Sequence, residues 1–247
     1  MLGHFFYFCA NLTRRPMHPV DHLNPNVTKE LIAYLKQFVT EERFLKFREI
    51  INYRTRHITI ALEDIFQPHN ASAVLRTCDC FGVQDVHIIE NRNKYEVNPD
   101  VALGASKWLD LIRYNEPGEN TQACLTMLKN QGYRIVATTP HENGFTPENL
   151  PLDRKVALVF GTELAGLSSM VLEQADDFIR IPMVGFTESL NISVSAAILI
   201  QTLTNRLRTS EISWQLTESE SDSILLKWLQ QTINRSDKII QVYLGKI

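Results

Sequence analysis

The sequence predicts an α/β fold built on a parallel sheet. Short apolar runs typical of strands alternate with segments of helical periodicity along most of the 247 residues. One run, 156–160, is apolar at every position, as expected for a strand that is covered on both faces. Because strands separated by helices usually pair in parallel, this alternation indicates successive βαβ units.

The elements follow in order from the N-terminus. Apolar residues at helical spacing predict helices over 28–39 and 40–51, and alternation predicts a strand over 57–62. Asn70 is the expected N-cap of a helix that runs to Phe81 and ends at Gly82. Further strands are predicted at 86–89, 134–138, 156–160 and 178–182, and further helices at 120–130, 167–175 and 189–208.

The same pattern divides the chain into four parts. We expect a loose leader over 1–27, an N-terminal helical extension over 28–56, an α/β domain over 57–210, and a linker with a C-terminal helix over 211–247. The acidic, serine-rich segment 217–222 is assigned to the linker, and apolar residues from Ile224 to Leu229 give the terminal helix one apolar face. The apolar opening of the chain is too short to cross a membrane.

Composition excludes several classes of function. The formal net charge is −3, whereas a protein that coats nucleic acid by bulk charge would be strongly basic, so any RNA contact must be a local patch. The four cysteines (Cys9, Cys78, Cys80 and Cys124) form neither a disulfide framework nor a zinc motif. We therefore expect free thiols, no metal, and a cytoplasmic enzyme.

The loops at the predicted carboxyl ends of the strands carry the candidate chemistry, because ligands of open α/β sheets bind there. Neither the GxGxxG signal of nicotinamide enzymes nor the GxxxxGK[ST] phosphate loop is present. In the first unusual loop, Asn70 precedes Arg76 by almost two helical turns, so both could serve an anion or a ribose. The alternative is a helix cap followed by a surface arginine.

Two further loops share this character. After the buried strand, Gly161 and Gly166 flank Glu163, which allows a tight turn and close backbone approach to a ligand; a plain turn is the alternative. In the third loop, Ser189 would cap a helix whose first turn carries Asn191, and such polar groups need partners from the protein or from a ligand. A merely well-packed helix start is the competing interpretation.

Taken in order, the three loops resemble a known family. Asn-x5-Arg-Thr, Gly-x-Glu-x-x-Gly after a strand, and Ile-Pro-Met followed by Ser-Leu-Asn-x-Ser-Val are similar to the motifs of the SpoU/TrmH branch of SPOUT RNA methyltransferases, over about residues 40–210. The resemblance implies a SPOUT methyltransferase domain at 57–210 with a C-terminal trefoil knot, S-adenosylmethionine as cofactor, and a homodimer whose subunits complete each active site.

The resemblance also implies a substrate. Segments 42–56 and 67–70 look most like those of the members that methylate the ribose 2′-hydroxyl of guanosine 18 in the D-loop of tRNA. Methylation of ribosomal RNA is the alternative within the enzyme class. A non-catalytic RNA-binding relative is the alternative outside it.

Site residues follow from the same motifs. The resemblance places the cofactor against Thr138, Gly161, Ile181 and Leu190. It assigns removal of the hydroxyl proton to Arg76, although a guanidinium normally stays protonated, so a nearby RNA phosphate would have to accept charge. The remaining roles are supporting ones: Asn70 would orient Arg76 or the ribose, Glu163 would fix the second loop, and Ser189 and Asn191 would hold the third.

Two predictions concern partners. The segment 41–57 holds two more cations than carboxylates, and we expect Arg43, Arg54 and Arg56 to contact RNA; Arg92, Lys94 and Lys107 form a second basic cluster. The helix predicted at 189–208 is apolar around most of its circumference, which indicates burial on more than one side and a homodimer interface. Coverage by the terminal helix at 224–229 is the competing account.

Overall fold

A computed structural model describes residues 24–96, 98–162 and 165–245. Most of the expected leader and Glu163 lie outside these ranges. The helices are α1 Pro25–Leu35, α2 Glu41–Ile51, α3 Pro68–Phe81, α4 Pro99–Ala102, α5 Asn120–Asn130, α6 Ser169–Gln174, α7 Ile192–Arg208, α8 Glu218–Thr232 and α9 Ser236–Leu244. No helix among the described residues is long and apolar enough to cross a membrane.

Six parallel strands form one sheet, which confirms the predicted fold class. In chain order they are β1 Ile58–Glu63, β2 Asp85–Ile89, β3 Asp110–Tyr114, β4 Arg134–Thr138, β5 Val156–Phe160 and β6 Asp177–Ile179. Across the sheet the order is β3-β2-β1-β5-β4-β6. The sequence pattern missed β3, since Asp110 and Arg113 interrupt its apolar character at the edge of the sheet.

Helices cover both faces of the central strands. Ile60 and Leu62 of β1 pack in a cluster with α3 and α7, whereas Ala61 points to a cluster with α5 and α6. This alternation follows from the two-residue period of a strand, so β5 is apolar throughout and the polar residues of β1, Thr59 and Glu63, must be hydrogen-bonded. All residues of both strands are buried.

The terminal helices pack together beside the sheet. Leu31 of α1, Phe47 of α2 and Trp228 of α8 belong to one buried cluster that is separate from the two clusters on the sheet. Because α8 packs on α1 and α2, it does not lie over the long helix α7. The competing account, in which the terminal helix covers α7, is therefore wrong.

Two predicted boundaries at the ends of the chain are also wrong. Segment 217–222 is not a linker, because Thr217 and Glu220 form a capping box in which each side chain satisfies the other's backbone N–H, and α8 starts at Glu218. A second helix, α9, follows it. At the other end, Asn24 caps α1, so residues 25–27 belong to a helix rather than to the leader.

Candidate active site

A cavity of about 620 Å³ opens at the carboxyl edge of the sheet. The segments that follow β4, β5 and β6 meet there with the starts of α3 and α7. The structure brings seven of the predicted cofactor and catalytic residues into its wall, namely Asn70, Thr138, Gly161, Ile181, Ser189, Leu190 and Asn191. Residues that lie more than 120 positions apart in the chain therefore share one concave site.

A chain of amide hydrogen bonds joins the first and third loops. Asn191 Nδ2 donates to Asn70 Oδ1 at 3.1 Å, and Asn70 Nδ2 donates to Gln67 Oε1 at 3.1 Å. Asn191 Oδ1 in turn accepts the backbone N–H of Ser193 at 2.8 Å, which is the N-cap bond of α7. The two loops are thus fixed relative to each other by hydrogen bonds of Asn70 and Asn191, of which Asn191 also caps the start of α7.

Both predicted caps need correction. The helix that was expected to start after Asn70 begins at Pro68, a residue suited to the first helical position because it lacks the N–H that would be unsatisfied there. Asn70 therefore lies inside the first turn, and its side chain is free of the capping role. The cap of α7 is Asn191 and not Ser189, which lies in the cavity wall three residues before the helix.

The loop after β5 is a tight backbone turn. Thr162 and Gly166 exchange two backbone hydrogen bonds of 2.9 and 3.1 Å, and Gly166 adopts a φ of +69°. A Cβ on Gly161 would lie 2.2 Å from the carbonyl carbon of Gly166. The first glycine is thus required by the backbone packing of the turn itself, which brings main-chain groups to the cavity wall.

Sequence reasoning missed the carboxylate that anchors this turn. Glu63, buried at the end of β1, accepts hydrogen bonds from Thr121 Oγ1 at 2.7 Å, Ser168 Oγ at 2.7 Å and Ser168 N at 2.9 Å. Ser168 also caps α6. A charged residue ending an otherwise apolar strand was the signal available in the sequence, because a buried carboxylate needs several donors.

Arg76 lies apart from the cavity. It is exposed on α3, six residues and about 9 Å along the helix axis from Asn70, and it does not line the cavity. Within the described part of the chain, no hydrogen bond or ion pair holds its guanidinium. The structure therefore leaves all five N–H donors of this arginine available to a ligand or to another subunit.

The sequence profile of the SpoU rRNA methylase family matches residues 57–201. The chain belongs to the SpoU methylase family. The matched segment runs from just before β1 into α7, so it includes every loop that lines the cavity of this SpoU methylase.

Two relatives and one solved structure extend this similarity. The chain is 45% identical over 202 residues to a tRNA (guanosine(18)-2′-O)-methyltransferase of Borreliella burgdorferi, which covers 82% of this chain and 91% of that protein. A protein of the same name from Thermus thermophilus is 33% identical and covers 65% and 81%. The crystal structure of the Aquifex aeolicus TrmH/SpoU tRNA modifying enzyme superposes with a TM-score of 0.69 at 31% identity, covering 78% of this chain and 98% of that one.

The basic residues predicted to contact RNA differ in exposure and in ion pairing in this SpoU methylase. Arg43 is exposed. Arg54 is only 2% exposed, pairs with Asp79, and lies with its guanidinium carbon 5.2 Å from the ring centroid of Trp228. The prediction that Arg54 contacts RNA from the protein surface is therefore wrong.

Arg56 is likewise held by ion pairs within the protein. Its guanidinium reaches Asp85 at 3.1 Å, Asp110 at 2.8 Å and Glu220 at 3.4 Å. Burial by itself would lower the pKa of Arg56, but the neighbouring carboxylates outweigh it and raise the pKa. The arginine thus links β2, β3 and α8 as a permanent cation, and its prediction as an RNA contact is wrong.

Apolar side chains remain uncovered beside the cavity of this SpoU methylase. Val184 and Phe186 are fully exposed in the segment before α7, and Val194 on α7 is 45% exposed. Large apolar side chains left this exposed are candidates for an interaction surface.

No group of three or more potential metal ligands occurs among the described residues. Cys78 and Cys124 are buried, and burial raises the pKa of both thiols, whereas Cys80 is exposed. The prediction for Cys9 falls outside the described residues.

Proposed function

We propose that this SpoU methylase transfers a methyl group from S-adenosylmethionine to the ribose 2′-hydroxyl of guanosine 18 in the D-loop of tRNA. The observation that carries the proposal is the convergence of residues from all three sequence motifs on one cavity, the first and third of which are joined directly by the Asn70–Asn191 hydrogen bond. The substrate is taken from the relatives of Borreliella and Thermus, whose names specify guanosine 18.

The cavity fits the cofactor in size and in chemistry. Its volume lies within the range of about 300–1,000 Å³ that is usual for ligands of this size. Ile181 and Leu190 supply apolar walls for the adenine, while the backbone turn that begins at Gly161 and the segment after Thr138 supply main-chain groups for its edges. When bound, S-adenosylmethionine supplies a methyl group that its sulfonium has already activated.

The residues of the protein must orient the ribose 2′-hydroxyl and allow its proton to be removed. We assign the essential role to Arg76, whose planar guanidinium can hold an RNA phosphate and bring it to the hydroxyl as the charge acceptor. Asn70, which accepts a hydrogen bond from Asn191, is proposed to orient Arg76 or the ribose, and Ser189 and Asn191 are proposed to hold the third loop. Glu163 is proposed to fix the loop after β5.

We further propose that the enzyme is a homodimer in which each active site takes residues from both subunits. Two features support it: Arg76 lies outside the cavity of its own subunit, and Val184, Phe186 and Val194 leave an apolar surface next to that cavity. An isologous contact through α7 would cover this surface.

Light scattering at micromolar concentration tests the assembly. We expect a dimer for the wild type and a monomer with little activity for Val194→Asp. Val242→Asp is the matched control, because Val242 is 54% exposed on α9, and it should remain an active dimer. An active wild-type monomer would refute both the dimer and the shared site.

The trefoil knot and the cellular compartment belong to the same proposal. Arg206 of α7 donates to the carbonyl oxygens of Pro147 at 2.7 Å and Leu150 at 2.9 Å, so the segment between β4 and β5 is fastened to α7, as expected if the chain threads through a loop here. We propose the cytoplasm as the compartment, because the proposed substrate is processed there.

Mapping the methylated nucleotide tests the function directly. Purified protein is incubated with labelled cofactor and three RNAs: an unmodified tRNA transcript, the same transcript with a 2′-deoxy nucleotide at position 18, and ribosomal RNA. We expect label at guanosine 18 of the first RNA and none in the other two.

Other outcomes identify the alternatives. Label in ribosomal RNA alone would support the ribosomal methyltransferase instead. Cofactor binding without methylation of any RNA would support a non-catalytic relative.

A further inference from the structure

A second cavity, of about 610 Å³, lies at the opposite edge of the sheet from the active site. It is formed by α2, the carboxyl end of α3, the end of α7, and Trp108 and Trp228. We call it the amino-edge cleft. None of the three sequence motifs contributes a residue to it.

The cleft is cationic. Arg43, Lys46, Arg54 and Arg208 line it, Asp79 is the single carboxylate among its described lining residues, and Lys46 pairs with Glu49 at 3.0 Å beside it. With both carboxylates counted, the local charge is about +2, in contrast with −3 for the whole chain. Such a local excess favours a polyanionic ligand.

One of these cations is incompletely paired. Arg54 bonds Asp79 through Nη2, but its Nε and Nη1 are buried and have no hydrogen-bond partner. Buried charged groups are normally fully bonded, so this guanidinium leaves positive charge in the cleft wall that Asp79 compensates through one nitrogen only. The arginine thus acts as a charge in the cleft wall rather than as a surface contact.

Aromatic surface accompanies the charge. Tyr53 is 58% exposed at the rim, whereas Trp108 is half-buried and Trp228 is buried in the wall, with their ring centroids 5.8 Å apart. Cations combined with an exposed aromatic face, here that of Tyr53, are the arrangement that binds single-stranded nucleic acid, where phosphates pair with the cations and bases stack on the ring. This combination selects a nucleotide over a simple anion.

The floor of the cleft is rigid. Arg208 donates from Nη2 to the carbonyl oxygens of Tyr53 at 3.2 Å and Phe81 at 2.7 Å, which ties the end of α7 to the ends of α2 and α3. Gly82 has a φ of +76°, and a Cβ there would lie 2.2 Å from the Tyr53 carbonyl oxygen. The site is therefore preformed, which lowers the entropic cost of binding.

Helix α3 connects the cleft to the active site. Cys80, which lines the cleft, is exposed, and it lies four residues after the exposed Arg76, so both occupy the same face of the helix. The distance along the axis from Asn70 to Cys80 is about 15 Å. An RNA that follows this face can place one ribose at the active site and another nucleotide at the cleft.

We propose that the amino-edge cleft binds a nucleotide of the tRNA substrate, distant from the methylated ribose, through stacking on Tyr53 and phosphate contacts with Arg43 and Lys46. This rests on the proposed function. A free nucleotide has the same chemistry, and the test separates these two sources.

The first experiment measures tRNA binding by the full-length protein. We expect Tyr53→Ala and Lys46→Ala each to weaken tRNA binding by about tenfold, with turnover at saturating tRNA and S-adenosylmethionine affinity unchanged. Lys46→Ala should also lower the slope of log Kd against log salt by about one. The matched control is Lys129→Ala, which removes an exposed lysine at the end of α5 and should change neither quantity.

The second experiment uses Cys80 as a reporter in the wild-type protein. Its alkylation rate, followed by peptide mass spectrometry, should fall at least fivefold when tRNA is bound. Protection by millimolar guanosine monophosphate as well would show that a free nucleotide also occupies the cleft.

Unchanged tRNA binding in both variants, together with no protection of Cys80, would overturn the cleft proposal. Failure of the proposed function is distinguishable, because the wild type would then leave guanosine 18 of the transcript unmethylated whatever the state of the cleft.

Discussion

Two arginines in different parts of the molecule show how the chain distributes its charges. Arg76 is exposed on α3 and has no partner within the described part of the chain, whereas Arg56, just before β1 at the amino edge of the sheet, reaches three carboxylates. The same side chain is thus held by the fold in one region and left unengaged in the other. Unused donors mark the place where a ligand completes the site, and fully paired ones mark the place where helices and strands are joined.

Arg76→Ala is expected to have the largest effect. Methyl transfer should fall by at least about a thousandfold, or about 4 kcal/mol in the activation barrier. S-adenosylmethionine affinity should stay within a few-fold, because Arg76 does not line the cavity, and the thermal midpoint should not change. Steady-state kinetics, calorimetric titration and thermal unfolding supply the three readouts.

Two further variants sharpen this prediction. Arg76→Lys should also be inactive, because an ammonium cannot reproduce the planar fork. Arg154→Ala removes another exposed arginine and should remain active. Full activity of Arg76→Ala would show that Arg76 is not essential for methyl transfer.

Arg56→Ala should act on stability instead. It removes the guanidinium that Asp85 and Asp110 share in a mostly buried site, although Asp110 keeps its pair with Lys227, and we expect a cost of about 3 kcal/mol in the free energy of unfolding. Turnover per folded molecule should be unchanged. Urea denaturation measures the loss, and Lys36→Ala, which breaks an exposed pair with Glu41, is the control at about 0.5 kcal/mol. An equal, small loss in both variants would contradict the structural role of Arg56.

Gly161→Ala tests the turn in the cavity wall. The added Cβ would lie 2.2 Å from the backbone of Gly166, so the turn must shift, and S-adenosylmethionine affinity should fall by at least about 30-fold, or about 2 kcal/mol. Gly185→Ala is the matched control, because a Cβ at Gly185 meets no atom within 4 Å. Calorimetric titration compares the two, and equal affinities would show that the turn does not shape the cofactor site.

Substitutions of Asn191 distinguish its role as the N-cap of α7 from its hydrogen bond to Asn70. We expect the smallest effects here. Asn191→Ala should cost about 1 kcal/mol of stability, since α7 loses its cap. Asn191→Asp keeps the capping oxygen but loses the Nδ2 donor to Asn70. The stability of this variant should therefore return to that of the wild type, while its turnover should be about tenfold below the wild-type value. Recovery of turnover in the Asp variant would show that the bridge to Asn70 is dispensable.

The local hydrophobic pattern of the sequence was sufficient to predict those elements that are buried along their whole length. The apolar run of β5 and the alternation around β1 predicted buried parallel strands, because a strand covered on both faces favours apolar side chains at nearly every position. The pattern was least reliable at boundaries. The serine-rich, acidic composition of 217–222 indicated a linker, yet the same residue types are those that cap a helix and fill its first turn.

The motifs likewise determined which residues surround the cavity, since the carboxyl ends of parallel strands meet at one edge of the sheet. Which cations remain available was decided by tertiary structure alone. The carboxylates that neutralise Arg56 lie 29, 54 and 164 residues away in the sequence, and the partner of Arg54 lies 25 residues away. A count of charges within 41–57 cannot include them, because electrostatic compensation depends on distance in space and not along the chain.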